Sequence, residues 1–362
     1  MITKEQNWNT KLQKLRDQLP ARGYSALEIN SQANFSWLTR GRGFIGLASA
    51  TACGSIFITA TEAILVTDNI EADRLYTEQL DKNPEITVRA FPWDKPEERA
   101  KIVADITAGE KLATEQDMSR ELFHLRTVMT DYDLSDYRSL CKETAQILEE
   151  TVKTLTAGIS GYELAGEISN RFWTADIEPI TILSAFDERA LRYRHPLPAA
   201  DKLQNYALVA ICGRRNGLIV SATRNILLRE DPLIIERHKK CAIVDAVATA
   251  KLKPGTVLGE IFDTMVSEYK TQGYPGEEKL HHQGGLTGFI PRELRANTGT
   301  PHVIREHEVY ALNPSLQGAK CEDTILVTAT VPEVMTHTGN YAYINCEVDG
   351  ITFQKPTVWV LS

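Results

Sequence analysis

Three histidines in this sequence have neighbours that suit proton transfer. His195 precedes Pro196, and His281 and His282 are followed by Gln283-Gly284-Gly285. Imidazole exchanges protons near neutral pH, and two glycines let other groups approach the backbone closely. Because successive residues on a strand point to opposite faces, only one of the tandem pair can face a cleft. The alternative for His195 is a loop cap, and for His282 an ordinary structural hydrogen bond.

Glu322 and Arg292 are the charged candidates. Glu322 lies near the start of a predicted strand, where a carboxylate could orient a water molecule or bind a cationic group. A buried carboxylate without a partner is costly, so Glu322 requires one, such as His195, His281 or an arginine. Arg292 could hold a substrate carboxylate through two hydrogen bonds, or pair with Glu293 or Glu322 and stabilise only the fold.

The sequence gives little indication of a catalytic nucleophile or a bound cofactor. Cys212 and Ser221 are the candidates, but Val220-Ser221-Ala222 lacks the flanking glycines of a nucleophile elbow. The six cysteines contain no Cys-x-x-Cys pair, which is typical of reduced thiols and not of a disulfide framework. The sequence has no phosphate loop, dinucleotide fingerprint or EF-hand pattern, so we expect no cofactor.

The segment around Ser221 is predicted to form a β-hairpin. Asn216-Gly217 separates two apolar runs, and both central residues of a type I′ turn need positive φ. With that turn Ser221 pairs with Cys212, and Ala210 shares a face with Ser221 because side chains alternate. Two side chains with oxygen ligands in these positions could bind one ion, but here Ala210 carries a methyl group and Ser221 a hydroxyl group.

A short repeat predicts two related halves in the remainder of the chain. Leu155-Thr156-Ala157-Gly158 and Leu252-Lys253-Pro254-Gly255 each follow an amphipathic helical pattern, and Glu163 and Glu260 stand at the same spacing after them. Matching helix–turn–helix units indicate two pseudo-symmetric α/β halves that close on a shared cleft. A repeat this short also arises by chance.

The first third of the chain predicts a separate α/β domain. Leucines at helical spacing within residues 12–19 precede three apolar runs typical of strands in a sheet of mixed direction. The polar segment 130–135 marks the boundary, with Ser135 or Asp133 as the cap of the following helix. We therefore expect domains at residues 1–130 and 131–362.

Composition limits the partners. The length of 362 residues suits two domains, and 40 basic against 48 acidic residues give a net charge of -8. That charge argues against binding to nucleic acid or an anionic membrane. The polar N-terminus and the lack of a long apolar run predict a soluble cytoplasmic protein. A small molecule or a short peptide is the expected partner.

Taken together, these patterns resemble the pita-bread hydrolases, which include methionine aminopeptidase, Xaa-Pro aminopeptidase, prolidase and creatinase. The run Asn34-Phe35-Ser36-Trp37-Leu38-Thr39 is similar to their small N-terminal domain, and Asp187-Glu188-Arg189 and Tyr193-Arg194-His195-Pro196 are similar to their framework motifs. The resemblance implies an α/β (α+β) fold, with a small creatinase/prolidase-like domain followed by a pseudo-symmetric pita-bread domain. It also implies a homodimer.

The same resemblance assigns five metal-ligand positions, and four of them lack a suitable donor. The five positions are Ala210, Ser221, Gly285, Asn313 and Glu322. A site for two hard divalent ions needs several carboxylates to offset charge and fix geometry, and only Glu322 remains. We therefore expect no bound metal and no metal-dependent peptide cleavage.

Roles follow from the similarity to creatinase, whose pocket histidine transfers protons without a metal. The catalytic candidates are His195, His281 and Glu322, and alignment selects His281 to face the cleft. The substrate-binding candidates are Arg292, Arg224, His282, Asn313 and Ser221. The leading hypothesis is a metal-independent hydrolase that cleaves a C–N bond of a small polar substrate or peptide. The alternatives are a non-catalytic protein that binds a peptide or metabolite and, less favoured, a conventional metal-dependent Xaa-Pro peptidase.

Overall fold

The computed structural model of the chain describes residues 2–361. It divides into two compact units. The first contains the residues up to Asp133 together with Asn216–Leu218, and the second contains Leu134–Arg215 and the residues from Ile219 onward. None of the helices between residues 2 and 361 combines the length and the apolar character needed to cross a lipid bilayer.

The first unit is built on one five-stranded sheet with the order β4-β3-β2-β1-β5. Its helices are α1 (Lys4–Gln18), α2 (Gln32–Thr39), α3 (Ala72–Arg74), α4 (Glu98–Thr107) and α5 (Ser119–Thr127), and its strands are β1 (Ala26–Ser31), β2 (Thr51–Thr59), β3 (Ala63–Asp68), β4 (Ile86–Phe91) and β5 (Leu112–Ala113), with a 3₁₀ turn at Pro20–Arg22 and a π turn at Leu75–Gln79. The neighbours β1 and β2 are antiparallel, whereas β3 and β4 are parallel. The predicted sheet of mixed direction is confirmed.

The leucine spacing within residues 12–19 corresponds to helix α1, whose start is capped and whose apolar face is buried. A capping box closes its start, because Thr3 Oγ1 accepts the Gln6 N–H at 3.1 Å and Gln6 Oε1 accepts the Thr3 N–H at 2.9 Å. The side chains of Leu12, Leu15 and Leu19 are then all buried. Burial of this apolar face stabilises the helix more than its intrinsic propensity does.

The long helix α6 (Asp131–Val152) begins earlier than the sequence predicted. Thr130 Oγ1 accepts the Asp133 N–H at 3.2 Å and so caps the first turn. The expected caps Ser135 and Asp133 are therefore wrong. Asp133 Oδ2 accepts the Thr130 N–H at 3.4 Å from inside the first turn, and the carboxylate also pairs with Lys11 Nζ at 2.8 Å, with both side chains buried.

The second unit contains two sheets and two small hairpins. Beyond α6 its helices are α7 (Gly161–Thr174), α8 (Asp187–Arg192), α9 (Pro232–Ala250) and α10 (Leu258–Thr271), and its strands are β6 (Glu178–Phe186), β7 (Tyr206–Arg215), β8 (Leu218–Leu227), β9 (Gly284–Thr287), β10 (Leu294–Arg295), β11 (Val309–Leu312), β12 (Ser315–Leu316), β13 (Ala319–Lys320), β14 (Asp323–Leu326), β15 (Glu333–Val334), β16 (Tyr343–Val348), β17 (Ile351–Pro356) and β18 (Trp359–Val360), with a 3₁₀ turn at Glu277–Lys279. The sheet orders are β18-β8-β7-β6 and β10-β9-β11-β14-β15. The pairs β12-β13 and β16-β17 form the hairpins.

The internal repeat corresponds to two equivalent helix–turn–helix units, α6-α7 and α9-α10. Gly158 and Gly255 have φ of 90° and 91°, a backbone conformation that favours glycine. The Gly158 N–H donates to the Leu203 carbonyl at 2.8 Å, and the Gly255 N–H donates to the Ile304 carbonyl at 2.9 Å. Each turn is thus tied to a following segment in the same way, so the predicted repeat is structural and not a chance match.

The predicted hairpin joins β7 to β8. Asn216 and Gly217 have φ of 48° and 84°, as a type I′ turn requires. Cys212 Sγ and Ser221 Oγ lie 3.3 Å apart, in agreement with the predicted register. Where β8 continues, the Thr223 N–H donates to the Glu322 carbonyl at 3.0 Å and links this sheet to the segment that leads into β14.

A buried ion network holds β8, α6 and β14 together. Arg224 has no exposed side-chain surface, and its Nε donates to Glu149 Oε1 at 3.0 Å. Its Nη1 donates to Asp323 Oδ1 at 3.1 Å, and its Nη2 donates to the Thr336 carbonyl at 3.2 Å. Both carboxylates are buried and need a counter-charge, and this guanidinium forms an ion pair with each of them.

We expect Arg224→Ala to lower the free energy of unfolding by about 3–5 kcal/mol, because it leaves two buried carboxylates without a cation. Urea denaturation measures this loss. Arg138→Ala is the matched control, since the Arg138–Glu333 pair is 46% and 39% exposed and its loss should cost less than about 1 kcal/mol. Equal, small losses for the two variants would contradict a structural role for the Arg224 network.

Candidate functional site

A cavity of about 180 Å³ lies within the second unit, at the junction of its two sheets. Its walls come from β6, β7, β10, the loop before β9 and the segments around β13. It is lined by Thr181, Leu183, His195, Ala210, Ile211, Cys212, His282, Pro291, Arg292, Arg295, Asn313, Lys320 and Glu322. Five of the eight site residues selected from the sequence therefore meet there, namely His195, His282, Arg292, Asn313 and Glu322.

Glu322 is the central anion of the cavity and is almost fully buried. Its Oε2 accepts from Lys320 Nζ at 2.7 Å and from Thr223 Oγ1 at 2.9 Å, and its Oε1 accepts from Arg292 Nη2 at 2.8 Å. Burial alone would raise the pKa of Glu322, but the charges of Lys320 and Arg292 lower it to about 2. The carboxylate is ionised at neutral pH and is compensated by two side-chain cations.

Sequence reasoning identified Arg292 as a partner for Glu322 but missed Lys320. The β12-β13 hairpin pairs Lys320 with Ser315 and turns the lysine side chain toward the cavity, where it is 5% exposed. The available signal was the spacing of Lys320 and Glu322, because residues two apart in an extended segment share a face. Arg295 was missed as well, and it lines the cavity from β10.

The three histidines form one cluster. His195 Nε2 and His281 Nε2 lie 3.0 Å apart, and His281 Nδ1 is 3.1 Å from Ser315 Oγ. The ring centroid of His282 is 4.7 Å from that of His281 and 5.5 Å from that of His195. His281 is thereby fixed on both ring nitrogens and orients the more exposed His195.

The expected orientation of the tandem histidines needs correction. His282 lines the cavity, whereas His281 lies behind it with 7% of its surface exposed. Strand alternation fails here because β9 begins only at Gly284, so the two histidines lie in a loop. His281 reaches the site through His195.

All three imidazoles are neutral at physiological pH. Burial, followed by the charge of Lys320, lowers the pKa of His281 to about 2 and the pKa of His195 below its ordinary value of 6.5. Burial and the charge of Arg292 lower the pKa of His282 to about 4. A neutral, partly exposed imidazole such as His195 can accept a proton.

The five positions at which the family resemblance expects metal ligands do not fit a dinuclear site. Ala210 carries no donor, and both oxygens of Glu322 are already engaged by side-chain cations and Thr223. At Gly285 the φ is 149°, and a Cβ atom would lie 2.1 Å from the Leu294 carbonyl oxygen. No side chain can be added there without moving β10.

The histidine cluster offers a different donor set. One nitrogen from each of His195, His281 and His282 lies within 4.8 Å of the others, and neutral imidazoles bind transition-metal ions. The cations of Lys320 and Arg292, whose charges act on these rings, would repel a divalent ion. The cluster therefore combines three imidazole nitrogens with two nearby side-chain cations.

The remaining site residues from the sequence lie away from the cavity surface. Ser221 is buried, and its Oγ is 3.4 Å from Arg292 Nη1, so it supports the guanidinium from behind. Arg224 is not brought to the cavity, because Glu149 and Asp323 hold it in the buried ion network. Its expected contact with substrate is replaced by a structural role.

Family models match both parts of the chain. Residues 135–329 match the model of metallopeptidase family M24, and residues 11–143 match the model of the creatinase/prolidase N-terminal domain. The first match spans more than half of the sequence. The expected fold, a creatinase/prolidase-like N-terminal domain followed by a pita-bread domain, is confirmed. None of the curated proteins matches the chain by sequence.

Solved structures share this fold at low sequence identity. The prolidase from Pyrococcus horikoshii OT3 is 18% identical with a TM-score of 0.75, covering 91% of this chain and 99% of its own. Dipeptidase PepE from Mycobacterium ulcerans is 14% identical with a TM-score of 0.76, covering 91% and 96%. The N-terminal domain of FACT complex subunit SPT16 from Cicer arietinum is 14% identical with a TM-score of 0.68, covering 92% and 97%.

The close approach of the Leu294 carbonyl to Gly285 predicts that even a methyl group is not tolerated at this position. We expect Gly285→Ala to lower the free energy of unfolding by about 1–3 kcal/mol through overpacking against β10. Gly166→Ala is the control, because its Cβ would meet no atom within 4 Å and alanine favours the helix by about 0.5–1 kcal/mol. Thermal and urea denaturation distinguish the two, and a Gly285→Ala protein as stable as the parent would refute the steric argument.

Proposed function

Since the chain belongs to metallopeptidase family M24, we propose that it is a hydrolase of that family that cleaves a C–N bond in a small polar substrate without a metal ion. The observation that carries this proposal is the pairing of buried Glu322 with Lys320 and Arg292. These cations supply the positive charge that a family member with a metal centre would take from its ions. Ala210 and Gly285, which carry no donor atom where the resemblance expects a metal ligand, also support a reaction without a metal ion.

In the proposed reaction, His195 accepts a proton from a water molecule as the water oxygen attacks the carbonyl carbon of the substrate. The carbonyl π electrons move to oxygen, and the resulting oxyanion is stabilised by the Lys320 ammonium and the Arg292 guanidinium. His195 then returns its proton to the leaving nitrogen, the C–N bond breaks, and a carboxylic acid and an amine are released. His281 positions His195 at 3.0 Å throughout.

Glu322 has a different role here from the one expected of it. It was expected to hold a water molecule or a cationic nitrogen of the substrate, but its oxygens already accept from Lys320, Arg292 and Thr223. We assign it the task of fixing the two cations in place. A preorganised pair of cations costs no reorganisation as charge develops on the substrate.

A non-catalytic binding protein is the second candidate. One observation favours it: four of the five positions at which the family resemblance expects a metal ligand, Ala210, Ser221, Gly285 and Asn313, carry no carboxylate or imidazole. The cavity would then hold a metabolite or peptide without turnover. A ligand that raises the melting temperature but is recovered intact after long incubation would support this function over hydrolysis.

Hydrolysis of N-acyl amino acids and dipeptides, measured as amine release in the presence of EDTA, tests the proposal. We expect turnover that chelation leaves unchanged, and we expect His195→Ala to reduce it by roughly 10²–10⁴-fold, the usual contribution of a general base. His124→Ala is the control, because this exposed histidine lies on α5 and does not line the cavity. Activity that EDTA abolishes, or a His195→Ala protein with full activity, would reject the mechanism.

The pH dependence of kcat/KM tests the role of His195 separately. Its active form is the neutral imidazole, and burial, Lys320, Arg292 and Arg295 lower its pKa below 6.5, opposed by Glu322. Activity should therefore persist at pH 6.5 and be lost only as the pH falls through the lowered pKa. Lys320→Met removes one repelling charge and should move this acidic limb upward. An acidic limb that stays in place in Lys320→Met would contradict the assignment.

A further inference from the structure

The cavity has the charge and hydrogen-bonding pattern of a site for a particular class of ligand. Three cationic side chains line it, Arg292, Arg295 and Lys320, against the single carboxylate of Glu322. The neighbouring imidazoles add no charge at neutral pH, since their pKa values are lowered. The wall is therefore net positive and attracts an anion.

Arg295 is the cation available to that anion. Arg292 and Lys320 pair with Glu322 and are assigned to the oxyanion in the proposed reaction, whereas Arg295 has no ion pair or side-chain hydrogen bond with any residue between 2 and 361. It is exposed at the cavity and lies on the short strand β10. A guanidinium binds a carboxylate through two parallel hydrogen bonds, which gives geometric selectivity as well as attraction.

Asn313 supplies a second, independent requirement. It lines the cavity with only 1% of its surface exposed, and its Oδ1 has no hydrogen-bond partner within the described part of the chain. An unpaired buried acceptor is unfavourable by roughly 1–3 kcal/mol, so a ligand N–H that reaches it would bind favourably. The position is one at which the family resemblance expects a metal-binding glutamate, and it lines the cavity.

We propose that this cavity binds a small compound that carries a carboxylate and a secondary amide, of the N-acyl amino acid class, with Arg295 holding the carboxylate and Asn313 Oδ1 accepting the amide N–H. The volume of about 180 Å³ limits the ligand to a small member of this class. This inference rests on the proposed function only for the fate of the amide. Binding itself needs no turnover.

Isothermal titration with a matched pair of probes tests the inference. N-acetylglycine carries the carboxylate and the N–H, and N-acetylglycinamide has the same number of heavy atoms but no charge. We expect N-acetylglycine to bind with a Kd of about 1 mM, as its size allows, and the neutral amide to bind at least about tenfold more weakly. Succinate, which has carboxylates but no N–H, should also bind more weakly than N-acetylglycine.

Variants locate the contacts. Arg295→Gln should weaken N-acetylglycine binding by about tenfold or more and abolish the preference for the acid over the amide. Arg120→Gln makes the same change at an exposed arginine on α5 that does not line the cavity, and it should leave binding unaltered. Asn313→Leu should remove the preference for N-acetylglycine over succinate. The parent protein alone provides a test if a variant fails to fold.

The outcomes separate this inference from the proposed reaction. Equal binding of acid and amide, no binding of either up to about 10 mM, or unchanged binding by a folded Arg295→Gln protein would overturn the ligand assignment. N-acetylglycine that binds as described but is recovered intact would leave the assignment standing and refute hydrolysis of this class. Metal-free hydrolysis of neutral amides without preference for a carboxylate would support the proposed reaction and refute the ligand assignment.

Discussion

The buried carboxylate of Glu322 is the constraint on which the site depends. A charge so far from solvent is stable only with a counter-charge beside it, and two kinds are available to a protein of this fold: bound divalent ions or side-chain cations. This chain has the second, with Lys320 Nζ and Arg292 Nη2 at 2.7 and 2.8 Å. The pairing with an ammonium and a guanidinium lowers the pKa of Glu322 and places two fixed cations beside the cavity.

The surroundings of these cations differ from a dinuclear metal site in their backbone packing and in the pKa of their histidines. Gly285 allows β9 and β10 to approach so closely that a Cβ atom would overlap the Leu294 carbonyl. The same positive charges, together with burial, lower the pKa of the nearby histidines and keep them neutral. In the proposed reaction the neutral imidazole of His195 acts as the general base beside these fixed cations, and the excess positive charge attracts the proposed anionic ligand.

Much of the fold could be predicted from the sequence because its signals are local. The Asn216-Gly217 turn and the two glycine-marked helix turns each depend on backbone conformations that few residues adopt. The start of α6 was misplaced because Thr130, Asp133 and Ser135 are all good capping residues, and tertiary pairing of Asp133 decided among them. The choice depended on a contact 122 residues away in sequence.

The candidate site was predicted in part, for the same reason. Glu322, Arg292, His195, His282 and Asn313 could be selected because the family frame fixes their positions. The cavity-facing histidine was misassigned because the family frame does not specify that His281 and His282 lie in a loop. Arg224 was assigned to the ligand because the sequence gives no sign of its distant partner Glu149. Lys320 and Arg295 were missed because no motif marks a lysine that pairs with a buried carboxylate or an arginine that lines a cavity.

The most direct test of the account is a titration of the metal-stripped protein with Mn²⁺, a hard ion that prefers oxygen ligands, followed by electron paramagnetic resonance. If Lys320 and Arg292 compensate Glu322 as described, the signal of free Mn²⁺ should rise in proportion to the added ion, without a bound fraction. Two Mn²⁺ ions bound tightly per chain, with Glu322→Gln abolishing the binding, would contradict the central claim.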